Sequence, residues 1–164
     1  MLITSRRVAV LYATLLGVVT SLALVVPEVF WRAVAPLEYA EHVLRRSSSF
    51  GPPTFSVCEA WVLQTEAWQT IARAPDAARR FQRLAVEARP GGRLYGLAGL
   101  RHTDSTAFAR VLPNFLNDTS LIYVETADLN GEAHELREVA REIAEGSVAA
   151  RLATTPLVLP YCRF

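Results

Sequence analysis

The side chains able to do chemistry gather in three short stretches of this chain. His134-Glu135-Leu136-Arg137-Glu138 invites comparison with the helical pentad of zinc proteases. That motif needs His at both ends, because positions i and i+4 share a helix face and two imidazoles ligate one metal. Here the second end is Glu138, so the pentad reads as a solvated helix face. Arg101-His102-Thr103-Asp104-Ser105 contains the three residue types of a hydrolase triad. A triad is assembled from separated segments, and chain neighbours cannot point at one another in the required order. Asp104 reads instead as an N-cap, and His102 as a helix-end residue favoured by the negative end of the helix dipole. Gly91-Gly92-Arg93 could hold an anion at a helix N-terminus. Two glycines after Pro90 are more simply a tight connection between helices. No catalytic residue, cofactor ligand or metal ligand follows from these patterns.

The cysteines are two, Cys58 and Cys162. In an oxidising compartment such a pair is a candidate disulfide, closing a long loop and stabilising by about 4–5 kcal/mol less any strain. The alternative is two separate buried thiols acting as small hydrophobes. There is no CxxC, hence no redox motif or zinc knuckle. All 17 basic residues are Arg, a bias we read as that of a GC-rich bacterial genome. The acceptor pattern Asn117-Asp118-Thr119 is then silent as a glycosylation signal.

The compartment is suggested by the N-terminus. Arg6 and Arg7 precede Val8–Val26, which carries no charge and ends at Pro27-Glu28. A helix of that length covers roughly 28 Å, about the hydrocarbon thickness of a bilayer. A positive segment before an apolar run is an export signal, with the arginines kept cytoplasmic. Phe30, Trp31 and Arg32 just beyond the run are the residues expected at a membrane interface. The expectation is a retained single-pass anchor in a bacterial inner membrane, with the N-terminus cytoplasmic and the rest periplasmic or extracellular. Cleavage after Ala23 or Ala35 is the alternative.

Length and composition bound what these segments can build. The chain has 164 residues, 51% hydrophobic and 20% charged, with a formal net charge of +1. That excludes a disordered tail, and the charge gives no footprint for nucleic acid. The expected organisation is a signal-anchor segment at 1–35, a membrane-proximal helix and linker at 36–54, and an exported domain at 55–164. The fold expected is mainly α (α+β), a transmembrane helix followed by a small helical domain with a two- or three-stranded sheet.

Within it, the pattern predicts a helix over Pro36–Arg46 and a linker over Ser47–Pro53. Phe55–Leu63 alternates and predicts a strand. Thr65 is the expected N-cap of the next helix, and Trp61 and Trp68 are assigned to the core. Asp76 opens a helix that Pro90-Gly91-Gly92 should break. A third runs from Arg93 to His102, and a fourth follows Asp104 and is disturbed by Pro113. Ser120–Thr126 predicts a strand and Asn130-Gly131 a turn. Glu132–Glu145 predicts an amphipathic helix ended by Gly146, and Leu157-Val158-Leu159 a short edge strand.

The run Ala77–Phe108, with Gly92, Arg93-Leu94-Tyr95-Gly96-Leu97, Gly99-Leu100 and Asp104, resembles a group of mostly exported bacterial proteins. Their shared core reads AGxLYxLxGL. The resemblance implies an α-rich fold and export, and no activity. It departs at Asp128-Leu129-Asn130-Gly131, where the group has a Cys after a Gly. That departure leaves Cys162 as the mate for Cys58.

The function expected is a membrane-anchored, non-enzymatic accessory or assembly subunit of a bacterial membrane complex. Its partners would be the bilayer, through Val8–Val26, and a protein of that complex. A second reading is a freely exported enzyme or ligand-binding protein, with His102, Asp104 and Tyr95 as first candidates. A third is an immunity or inhibitor protein.

Overall fold

The computed structural model describes residues 31–51, 60–124 and 131–154. The chain divides into two units, Met1–Pro36 and Leu37–Phe164. In the first, residues 31–34 form a helical turn in which the Ala35 amide donates to the Trp31 carbonyl (2.9 Å). Trp31 and Arg32 of the expected interface set fall in this turn. Arg6, Arg7, Phe30 and the run Val8–Val26 lie outside the described residues. No helix among the described residues is long and apolar enough to cross a membrane.

The second unit is mainly helical with a small three-stranded sheet. Its elements are α1 (Pro36–Arg46), β1 (Ser49–Phe50), α2 (Ala60–Ala72), α3 (Ala77–Glu87), α4 (Pro90–Thr103), α5 (Ser105–Leu116), β2 (Leu121–Val124), β3 (Glu132–Glu135), α6 (Leu136–Glu145) and α7 (Ser147–Thr154). In the sheet β2 is central. It runs parallel to β1, with Phe50 beside Val124, and antiparallel to β3, with Tyr123 opposite Ala133.

Helix α4 is the hub, buried along almost its whole length from Gly91 to Leu100. A helix that is apolar on every face belongs inside, and α4 packs against α2, α3, α5, α6, α7 and β1. Its glycines explain how so much fits around it. A Cβ at Gly96 would lie 2.4 Å from the Ala85 backbone nitrogen. One at Gly99 would lie 2.2 Å from the Phe81 ring. The α3 and α4 backbones therefore meet directly, and Trp68 and Phe81 (ring centroids 5.5 Å apart) close the layer beside them.

Helix ends follow local chemistry. Asp104 caps α5 by accepting from the Ala107 amide (2.9 Å). Gly146 ends α6 with φ +93°, a conformation that disfavours side chains, and Arg101 Nε donates to the Ala144 carbonyl there (3.4 Å). Pro113 does not interrupt α5. It sits on the exposed side with Ala109, the residue whose carbonyl its missing N–H cannot reach.

Several expectations are corrected. Residues 60–63, the end of the expected strand, belong to α2; Thr65 is a buried residue within that helix and not its N-cap. The helix opened by Asp76 ends at Glu87, before Pro90 as expected, but the next helix starts at Pro90 and not at Arg93. Glu132–Glu135 is strand β3, so the last amphipathic helix starts at Leu136. Residues 47–51 of the expected linker are built into the domain: Ser47 and Phe50 are buried and β1 pairs with β2. Cys58, Cys162, Asn130 and Leu157–Leu159 lie outside the described residues.

Candidate functional site

The groups singled out in the sequence are held in structural roles. Gly91 and Gly92 bring the α4 N-terminus against the backbone of residues 44–49. A Cβ at Gly91 would sit 2.0 Å from the Ser49 carbonyl oxygen, and one at Gly92 2.1 Å from that of Leu44. The Gly92 amide donates to the Ser47 carbonyl (3.0 Å) and the Arg89 amide to the Arg45 carbonyl (3.1 Å). The chain's own carbonyls thus occupy the positive end of this helix, where the sequence alone allows an anion.

Tyr95, His102 and Asp104 do not converge. The buried Tyr95 hydroxyl donates to the Gly51 carbonyl (3.1 Å) and accepts from the Gly51 amide (3.2 Å). His102 is exposed, its ring packed on Trp68 at 5.4 Å, and Asp104 is committed to its cap. His134 lies in β3, with Nε2 3.7 Å from Glu132 and Nδ1 3.8 Å from Glu138. Among the described residues no group of three His, Cys, Asp or Glu could hold a metal ion.

Two ion-pair networks tie elements together. Glu41, nearly buried, accepts from Arg45 (3.0 Å), Arg80 (3.0 Å) and Arg83 (2.9 Å), fastening α1 to α3. Arg80 also reaches Asp76 (2.9 Å), as does Arg79 (2.6 Å). The hydrogen bonds from Arg79 and Arg80 hold the Asp76 carboxyl at about 2, below its ordinary 3.8. In the second network Asp118 accepts from the Ser120 hydroxyl and amide and from Arg93 (3.1 Å), which lower its pKa in that order. Arg93 lies over the Phe115 ring, 5.0 Å from its centroid. Each of these carboxylates is bonded to arginines of its own domain, so the networks act as staples between its elements.

The outer face of the sheet is different. Strand β2 buries Ile122 against the helices and turns Leu121 and Tyr123 outward, 70% and 49% exposed. Opposite them on β3 stand Glu135 and the exposed Ala133. Alternation puts all four on one face. Tyr123 is pinned there, since the Gly131 amide donates to its hydroxyl (2.8 Å) and its ring covers Gly131. Glu135 pairs with Arg137 beside it. Leu121 and Tyr123 thus form a small apolar spot on the outward face of the central strand. The sequence did not separate Leu121 and Tyr123 from Ile122 and Val124. Four apolar residues in a row read as a strand buried on both faces, and alternation carries no signal there.

No protein-family model, curated protein or solved structure matches this chain.

Proposed function

We propose that this protein is a membrane-anchored, non-enzymatic accessory or assembly subunit of a bacterial membrane complex that works through protein contacts. The observation that carries the reading is the outward pair Leu121 and Tyr123, a fixed apolar face on a sheet covered by helices on its other side. The charge-free run Val8–Val26 behind Arg6 and Arg7 supports the anchor. The structural use made of Glu41, Asp76, Asp104, Asp118 and Tyr95 agrees with a binding role.

The test is size separation of the tagged chain from its native membranes in mild detergent, with mass spectrometry of the peak. The expected result is a full-length chain migrating with a stoichiometric membrane partner that Leu121→Ser releases. A shortened chain, alone and soluble without detergent, would overturn the reading.

A further inference from the structure

The partner's chemistry can be read from strand β3, a deduction that rests on the protein-contact reading above. β3 is one of the two edges of the sheet among the described residues, and Glu132 and Ala133 on it are exposed. Which of its backbone groups face outward follows from the register. The Leu136 amide donates to the Ser120 carbonyl (2.9 Å), which makes those two residues a hydrogen-bonded pair. Bonded and non-bonded pairs alternate along an antiparallel ladder. His134 with Ile122, and Glu132 with Val124, are then bonded pairs, whereas Ala133 and Glu135 direct their N–H and C=O away from β2. The Glu135 amide confirms the phase, since it turns to Glu138 Oε2 (3.3 Å) to complete the cap of α6. Ala133 is left as the residue offering an outward N–H and C=O on an exposed edge.

The side chains around Ala133 set what can bind. On the outer face its neighbour across the ladder is the Tyr123 ring. On either side along the strand stand Glu132 and His134, and His134 lies beside Glu138. The Glu132 and Glu138 carboxylates are 74% and 50% exposed, and among the described residues no arginine pairs with either.

We propose that β3 templates an added strand from a partner protein, with a basic–apolar–basic triplet centred opposite Ala133. The apolar residue exchanges two backbone hydrogen bonds with Ala133 and lies over Ala133 toward Tyr123. The flanking basic residues face Glu132 on one side and Glu138 on the other. Strand addition gains affinity from main-chain bonds and specificity from alternate side chains. A second copy of this chain is a poor occupant. In the register that the outward groups allow, Ala133 pairs with Ala133 and Glu132 stands opposite His134 of the other copy, which brings no permanent cation to Glu132 or Glu138. The same charges that keep a short edge from pairing at random select a basic partner.

The experiment uses the full chain in mild detergent and three fluorescent blocked peptides. One has an Arg-Val-Arg centre, one Glu-Val-Glu, and one the Arg composition in scrambled order. The Arg-Val-Arg peptide is expected to bind at least about tenfold more tightly than either other, a difference of about 1.4 kcal/mol. Ala133→Pro removes one outward donor without touching the ladder to β2 and should abolish that binding. Glu132→Arg with Glu138→Arg should transfer the preference to the Glu-Val-Glu peptide. Equal binding of the peptides, no binding of any, or full binding by Ala133→Pro would overturn the proposal. If Ala133→Pro still co-migrates with the membrane partner, strand addition fails while the subunit reading stands.

Discussion

Between α3 and α4 side chains are removed so that backbones can touch. Gly96 faces the Ala85 nitrogen and Gly99 the Phe81 ring, with no room for a methyl group at either. On β2 the reverse holds: Leu121 and Tyr123 are large, apolar and turned to solvent. The seam is fixed by volume, and changes in it should be read as loss of fold. The sheet face contributes little burial, and changes in it should be read as loss of contact. The contrast separates residues that hold this protein together from those on which the proposed contact would rest.

The largest expected effect tests the seam. Gly96→Ala forces a methyl against backbone and should destabilise by roughly 3 kcal/mol or more, seen as a lowered urea midpoint. Gly99→Ala should cost less, because a ring can shift where a backbone cannot. A Gly96→Ala protein with an unchanged midpoint would remove the distinction between the two regions. Next comes Glu41→Ala, which removes the nearly buried carboxylate shared by Arg45, Arg80 and Arg83. Removing one partner of such a network should cost about 2–3 kcal/mol by the same assay. Tyr95→Phe leaves the buried Gly51 amide and carbonyl without their hydroxyl, for a loss of about 2 kcal/mol.

A pH series sharpens the comparison further. The Asp76 pKa is about 2 in the folded protein against an ordinary 3.8, so the folded state favours its ionised form. Its contribution is complete above the ordinary value and is lost as pH falls through the folded one. Asp76→Asn should therefore flatten the decline in thermal stability between about pH 4 and pH 2. The smallest effect belongs to the sheet face. Leu121→Ser should leave the unfolding free energy within about 0.5 kcal/mol of the parent while it releases the membrane partner proposed above.

What could be read in the sequence was local. Asp104 and Gly146 mark helix ends by chemistry confined to a few neighbouring residues, and both do so in the fold. Pro90-Gly91-Gly92 was legible as punctuation, but its meaning was not. The glycines serve the chain crossing at residues 44–49, which lies far off in sequence. Glu132–Glu135 continues the polar pattern of α6, so periodicity extended the helix, and only pairing with β2 makes it a strand. The stretch before Thr65 alternates well enough for a strand, yet residues 60–63 join α2. The candidate surface was hidden for a related reason. Which side of Leu121-Ile122-Tyr123-Val124 faces out is decided by the helices on the other face, not by the four residues themselves.

The parallel pairing of β1 with β2 carries a consequence for the order of assembly. Residues 51–120 intervene between the two strands, and they include α2 through α5. Closing so long a loop for a two-residue pairing is unrewarded until the helices have folded and brought the ends together. The three-stranded sheet is therefore completed late, after the helical layer beneath it exists. The face proposed above for docking is then carried by the sequence-local pair β2 and β3, and β1 joins it last.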